Sequence, residues 1–127
     1  DGSGLSRRNL ATPRALAGVL SAMATHASFV RRMSVAGRDG TLAKRLVKTE
    51  GRVLAKTGTM AGVGALSGYI FLGGNAPPAV FSVLVDSCDL SSGRIRSAID
   101  ELVTLFDATL RGRSGSRARV SANGVDG

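Results

Sequence analysis

Apolar residues recur at helical spacing near both ends of the chain and form strand-like runs in the middle, which predicts helices flanking a sheet. Residues 1–11 are polar and glycine-rich and read as a loop. Thr12 followed by Pro13 marks a helix start, with the threonine as N-cap and the proline at the first helical position. Leu16, Val19, Leu20 and Met23 then share one face, and the helix ends near Thr25 or His26. A shorter helical segment, capped by Ser28, carries Phe29, Val30 and Met33. Gly37-Arg38-Asp39-Gly40 is a turn, and 41–48 forms a further helical turn or two.

From Arg52 the pattern changes. Residues 53–59 read as a strand, Ala61-Gly62 as a turn, and 64–72 as a second strand ending in Tyr69, Ile70 and Phe71. Gly73-Gly74-Asn75-Ala76-Pro77-Pro78 is a connection, and 79–85 is a third strand, apolar almost throughout and so expected to be covered on both faces. Connections this short predict an antiparallel meander. Residues 91–111 form an amphipathic helix with Ile95, Ile99, Leu102, Phe106 and Leu110 on one stripe and Arg94, Arg96, Asp100, Glu101 and Asp107 mostly off it. The fold class is therefore α/β in the α+β sense, an antiparallel sheet covered by helices over residues 1–111. The apolar pattern stops at Gly112, so 112–127 is expected to be a basic, flexible tail.

Composition narrows this picture in a few places. A chain of 127 residues, 43% hydrophobic, makes one small domain or a piece of a larger one. It has no apolar run of about 18 residues, so no transmembrane segment is expected. It starts at Asp1 with no charged-then-apolar leader, so no signal peptide is read in it. With Cys88 as the single cysteine and His26 as the single histidine, neither an internal disulfide nor a metal site is expected, and no cofactor is indicated. The net charge of +8 favours an anionic partner. Part of it is concentrated in Arg111, Arg113, Arg117 and Arg119.

The chemistry gathers at Lys56-Thr57-Gly58-Thr59. On a strand, period two puts Lys56 and Gly58 on one side and Thr57 and Thr59 on the other. Gly58 allows another element to approach closely, and the combination suits capture of a carboxylate and pairing of an extended peptide along a strand edge. Alone, so short a motif is weak, since it is equally an exposed lysine on an ordinary strand.

The order of a Lys-Thr-Gly-Thr strand, two further strands and a helix resembles the C-terminal part of the serine penicillin-binding proteins and β-lactamases. More narrowly, three blocks resemble the carboxypeptidase/endopeptidase branch of the low-molecular-mass penicillin-binding proteins, class C. These are Asp1-Gly2-Ser3-Gly4-Leu5-Ser6-Arg7 with Asn9 and Thr12, then Ala36-Gly37 with Asp39-Gly40-Thr41-Leu42, then Ala55-Lys56-Thr57-Gly58-Thr59 with Gly62-Val63 and Ala65-Leu66-Ser67-Gly68-Tyr69. They follow the family's order across most of residues 1–110.

The resemblance implies the C-terminal part of a transpeptidase-like serine hydrolase domain that acts on peptidoglycan stem peptides ending in D-Ala-D-Ala, in the periplasm or otherwise outside the cytoplasm, with β-lactams as inhibitors. It implies a catalytic role for Lys56 in proton transfer and for the Thr59 backbone N–H as an oxyanion donor. It also implies substrate binding by Thr57, Gly58 and Thr59. The family further uses a Ser-x-x-Lys and a Ser-x-Asn motif, both upstream of the Asp-Gly-Ser-Gly loop. No serine here has lysine three positions on, and Ser121-Ala122-Asn123 follows Lys-Thr-Gly instead of preceding it. A truncated chain, inactive alone and lacking its nucleophile, is the expectation.

Other features take plainer readings. Ser3 and Ser6 lack a positioned base and read as turn residues. His26 is a helix-end residue, and Cys88 a small filler beside an apolar strand. The Gly62–Gly68 stretch leads into a strand, so it is no dinucleotide loop. The alternative function is a noncatalytic basic module that binds cell-wall polymer or nucleic acid through its arginine-rich tail. That tail lacks aromatic residues and a reading motif, so no nucleic-acid partner is expected.

Overall fold

The computed structural model describes residues 4, 6, 8–87 and 89–122, with side chains as far as Arg113. The expectations placed on Ser3, Cys88 and the Ser121-Ala122-Asn123 triplet fall wholly or partly outside these residues. Helix α1 spans Pro13–Met23 and starts as its sequence dictates: Thr12 is in extended conformation and its Oγ1 accepts the Ala15 N–H at 3.1 Å. A four-residue helix, α2 (Ala27–Val30), follows. Its N-cap is His26 and not Ser28; the His26 carbonyl accepts the N–H groups of Phe29 and Val30, and no side chain takes part.

The sheet has four antiparallel strands in the order β1 (Ser34–Val35), β2 (Val53–Met60), β3 (Val63–Ile70) and β4 (Ala79–Val85). The last three form the expected meander. The hairpin closes with Met60 opposite Val63 and a two-residue Ala61-Gly62 turn, in which Gly62 takes φ +72°. Two residues carry no periodicity, which is why β1 was not legible; it pairs Ser34 with Ala55 and Val35 with Leu54. Between β1 and β2 the expected helical turns are two single 3-10 turns, Gly40–Leu42 and Val47–Thr49.

Helix α3 (Ser92–Ala122) covers one face of the sheet, packing Ile95, Ile99 and Val103 on Val53, Ala55, Leu66, Ile70 and Phe81. The position expected for Leu102 belongs to Val103: Leu102 is 38% exposed and Val103 fully buried. At about 100° per residue, Ile95, Ile99, Val103, Phe106 and Leu110 make the straighter stripe. The helix runs past Arg111, where the sequence pattern placed its end, so the backbone of the stretch expected to begin a flexible tail at Gly112 is helical as far as Ala122. On the other face, α1 brings Leu20 against Tyr69, with Leu54, Phe71 and Val80 packed around them. Val19, expected to face inward, is 57% exposed. The Tyr69 hydroxyl donates to the Leu20 carbonyl at 2.7 Å, and burial pushes its pKa up. β4 is less covered than its apolar sequence predicts, with only Phe81 buried, because β4 is the outer strand and has no strand neighbour beyond it among the described residues.

Asp107 is the main surprise in the core. Expected to lie off the apolar stripe, it is 1% exposed, and Arg52 approaches it with Nε at 3.1 Å and Nη2 at 3.0 Å. Arg111 adds a third contact at 3.2 Å. A second bidentate pair, Arg45 on Asp100 at 3.0 and 2.7 Å, acts in parallel. Both pairs join α3 to the segment that leads into β2, and so set where β2 lies.

Gly68 lies within β3, opposite Ala55. A Cβ there would collide with the Leu54 carbonyl oxygen and would stand 2.6 Å from the Ala55 Cα, both backbone atoms of the paired strand. Gly68→Ala must therefore open the β2–β3 pairing, and it is expected to destabilise the chain by about 1–3 kcal/mol in denaturant unfolding. An unchanged midpoint would contradict this packing.

Candidate functional site

The site is built on β2. Val53 and Ala55 point into the α3 core while Leu54 packs toward α1, so strand alternation puts Thr57 and Thr59 on the α3 side and Lys56 and Gly58 on the α1 side. The backbone alternates as well. The Val53 carbonyl accepts the Ala36 N–H at 2.9 Å on the β1 side, whereas the Arg52 carbonyl accepts the Phe71 N–H at 2.9 Å on the β3 side. By the same alternation, the N–H and C=O groups of Thr57 and Thr59 point away from β3.

β1 stops opposite Ala55. Beyond it, the Thr57–Thr59 edge has no strand neighbour among the described residues. This is an open edge, the kind of edge that proteins ordinarily cover or blunt. The exposed Lys56 lies along it and donates from Nζ to the Thr57 carbonyl at 2.7 Å.

Hydroxyls cluster at the same place. Thr57 Oγ1 donates to Thr41 Oγ1 at 3.0 Å, and Ser34 Oγ lies 3.5 Å from Thr41 Oγ1 on its other side. Beside Gly58 and Thr59 a shallow depression is also lined by Arg45, Ser92 and Arg96. Arg45 is held there by its ion pair with Asp100, and the exposed Arg96 adds a positive charge at this end of the strand.

All four residues singled out from the sequence therefore share one strand segment at an open edge. Thr41 and Ser34 were not singled out as site residues. The only signal pointing to Thr41 was the Asp39-Gly40-Thr41-Leu42 block, and sequence alone could not bring it to a strand sixteen residues away. Ser6 takes the turn role expected of it, its Oγ accepting the Arg8 N–H at 3.2 Å. No cluster of three or more His, Cys, Asp or Glu suited to a metal ion occurs among the described residues, and none of their helices is long and apolar enough to cross a membrane.

The arrangement can align an extended peptide along the edge, offer outward-facing N–H donors to an oxygen, and present a cation and hydroxyls to a terminal carboxylate. Comparison with known proteins places the chain in a family. The sequence pattern of the D-Ala-D-Ala carboxypeptidase 3 (S13) family matches residues 1–106. The chain is 35% identical over 117 residues to penicillin-sensitive carboxypeptidase A of Dictyostelium discoideum, covering 84% of this chain and 22% of that protein. It is 48% identical over 81 residues to a D-alanyl-D-alanine carboxypeptidase of Actinomadura sp. strain R39, covering 55% of this chain and 15% of that protein. Among solved structures, penicillin binding protein 4 (dacB) of Haemophilus influenzae, complexed with a β-lactam, superposes with a TM-score of 0.69 at 25% identity, covering 87% of this chain and 28% of that one. The chain thus spans less than a quarter of the length of these curated relatives.

Proposed function

The chain belongs to the D-Ala-D-Ala carboxypeptidase 3 (S13) family, and on that premise we propose that it forms the substrate-binding wall of a serine-type D-Ala-D-Ala carboxypeptidase/endopeptidase acting on peptidoglycan stem peptides outside the cytoplasm. The observation that carries this reading is the open edge of β2, where Lys56, Thr57 and Thr59 combine a cation, hydroxyls and outward-facing backbone donors.

In this reading the peptide lies antiparallel to β2, and Thr57 and Thr59 take its terminal carboxylate. The nucleophilic serine comes from a Ser-x-x-Lys motif supplied by polypeptide outside these 127 residues. Its Oγ gives its proton to the lysine of that motif, the base, and attacks the carbonyl of the penultimate D-alanine. The carbonyl oxygen gains charge against the Thr59 N–H, a donor of a kind commonly worth about 10²–10³ in rate. The C–N bond then breaks, and the departing D-alanine nitrogen takes up a proton through the Ser-x-Asn serine, whose proton transfer Lys56 supports. Water finally hydrolyses the acyl-enzyme and frees the serine. A β-lactam enters the same sequence, with its ring amide in place of the peptide bond.

A labelled β-lactam tests this directly. The polypeptide that joins this chain to the Ser-x-x-Lys and Ser-x-Asn motifs is expected to become covalently labelled and to release D-alanine from a pentapeptide. The 127-residue chain alone is expected to stay unlabelled. If the joined polypeptide does neither, the proposal is wrong; if the short chain is labelled, the nucleophile lies within it and has been misplaced.

A further inference from the structure

The Asp39-Gly40-Thr41-Leu42 turn has no part in the chemistry above, yet it is built so that one hydroxyl reaches the site. Leu42 is fully buried, and its carbonyl accepts the Gly37 N–H at 2.9 Å. The Asp39 carboxylate accepts the Val35 N–H at 2.7 Å. Gly40 has φ +53°, where glycine carries no steric cost, and a Cβ there would displace the Ser34 hydroxyl that flanks Thr41. Thr41, seated between these anchors, sits 3.0 Å from Thr57 Oγ1 and 3.5 Å from Ser34 Oγ.

We infer that Thr41 is a positioning residue for the substrate carboxylate, acting through Thr57; this rests on reading Lys56–Thr59 as the substrate wall. A threonine side chain on a strand chooses among staggered rotamers, and a fixed hydroxyl partner selects one of them. The single Thr57 hydroxyl proton is directed at Thr41. A carboxylate cannot donate, so when it arrives that proton must turn to it. Thr41 then donates its own proton to Thr57 Oγ1 and keeps the hydroxyl in place. The partner must therefore both accept and donate, which serine can do and valine cannot.

The experiment uses the polypeptide that carries the nucleophile motifs. Thr41→Val, close to isosteric at an exposed position, is expected to raise the KM for a D-Ala-D-Ala peptide and to slow acylation by a carboxylate-bearing β-lactam about tenfold, with kcat little changed. Thr41→Ser is expected to restore both. Thr41→Val combined with Thr57→Val should be no slower than Thr57→Val alone. The ester of the same β-lactam, which lacks the charge, should not distinguish Thr41→Val from the parent. Wild-type behaviour of Thr41→Val, losses that multiply in the double variant, or an equal loss with the ester would each overturn the assignment. If Thr57→Val is impaired and Thr41→Val is not, this inference alone fails. If Thr57→Val and Lys56→Ala both acylate normally, the substrate wall itself has been misread, and the role of Thr41 falls with it.

Discussion

Replacing Lys56 by alanine is expected to slow acylation by a labelled β-lactam about 10²–10⁴-fold in the polypeptide that includes the nucleophile motifs, the range typical for loss of a positioned proton-transfer partner. Lys56 is exposed, and its ammonium bonds to the Thr57 carbonyl at the strand edge, so fold stability should hardly change. Lys56→Arg separates the two roles of the ammonium. Arginine keeps the positive charge but cannot give up a proton at neutral pH. If Lys56 serves only to attract anionic ligands, Lys56→Arg should be nearly normal. If it supports proton transfer, Lys56→Arg should remain slow while its binding of anionic ligands recovers. Acylation rates with a labelled β-lactam, read beside an unchanged unfolding midpoint, check both. Normal acylation by Lys56→Ala would remove Lys56 from the mechanism.

The largest expected loss of stability is at Asp107. Its carboxylate is buried and takes three hydrogen bonds, two from Arg52 and one from Arg111. Asp107→Ala leaves both guanidiniums without that acceptor. Breaking a buried pair from one side commonly costs 3–5 kcal/mol; because Arg52 is partly exposed and can turn to water, about 3 kcal/mol is expected in denaturant unfolding of the full chain. Replacing both partners by apolar residues of similar size, as in Arg52→Met with Asp107→Leu, should recover much of that loss. A single variant within about 0.5 kcal/mol of the parent would show that the pair does not anchor α3.

The same pair predicts an acid limb. Burial by itself pushes the Asp107 carboxyl up, but the hydrogen bonds and charge of Arg52, together with Arg111, outweigh it and hold the group below the usual carboxylate range. Arg52 is in turn held above its already high value, chiefly by its hydrogen bonds to Asp107. A carboxyl whose folded pKa is depressed contributes stability that is fully present above the unfolded value, about 4, and is lost as pH falls through the folded one. Stability should therefore decline below about pH 4, and Asp107→Asn should flatten that decline. An equally steep acid limb in Asp107→Asn would assign it to other carboxylates.

Much of this fold could be read from local pattern. Thr12-Pro13 placed α1 because capping and a preset φ act within one turn. The Ala61-Gly62 hairpin and the run from Ala79 to Val85 were legible for the same reason. Where reading failed, the missing information was non-local. Leu102 and Val103 are adjacent and both apolar, and only contact with the sheet chooses between them. Asp107 looked like a solvent-facing acid because its partner Arg52 lies 55 residues away. β1 is too short to carry a period, and exists because β2 offers it an edge.

The site divides along the same line. The sequence by itself determined which groups stand on each side of the Lys56–Thr59 strand, since alternation is a property of the extended backbone. Together with the flanking blocks, it also determined the family. Tertiary structure alone decided that β1 ends opposite Ala55 and leaves the next residues without a strand neighbour among the described residues, and that the Gly40 turn carries Thr41 to Thr57. Both depend on pairing and close approach between distant segments, which no local spacing of residue types encodes.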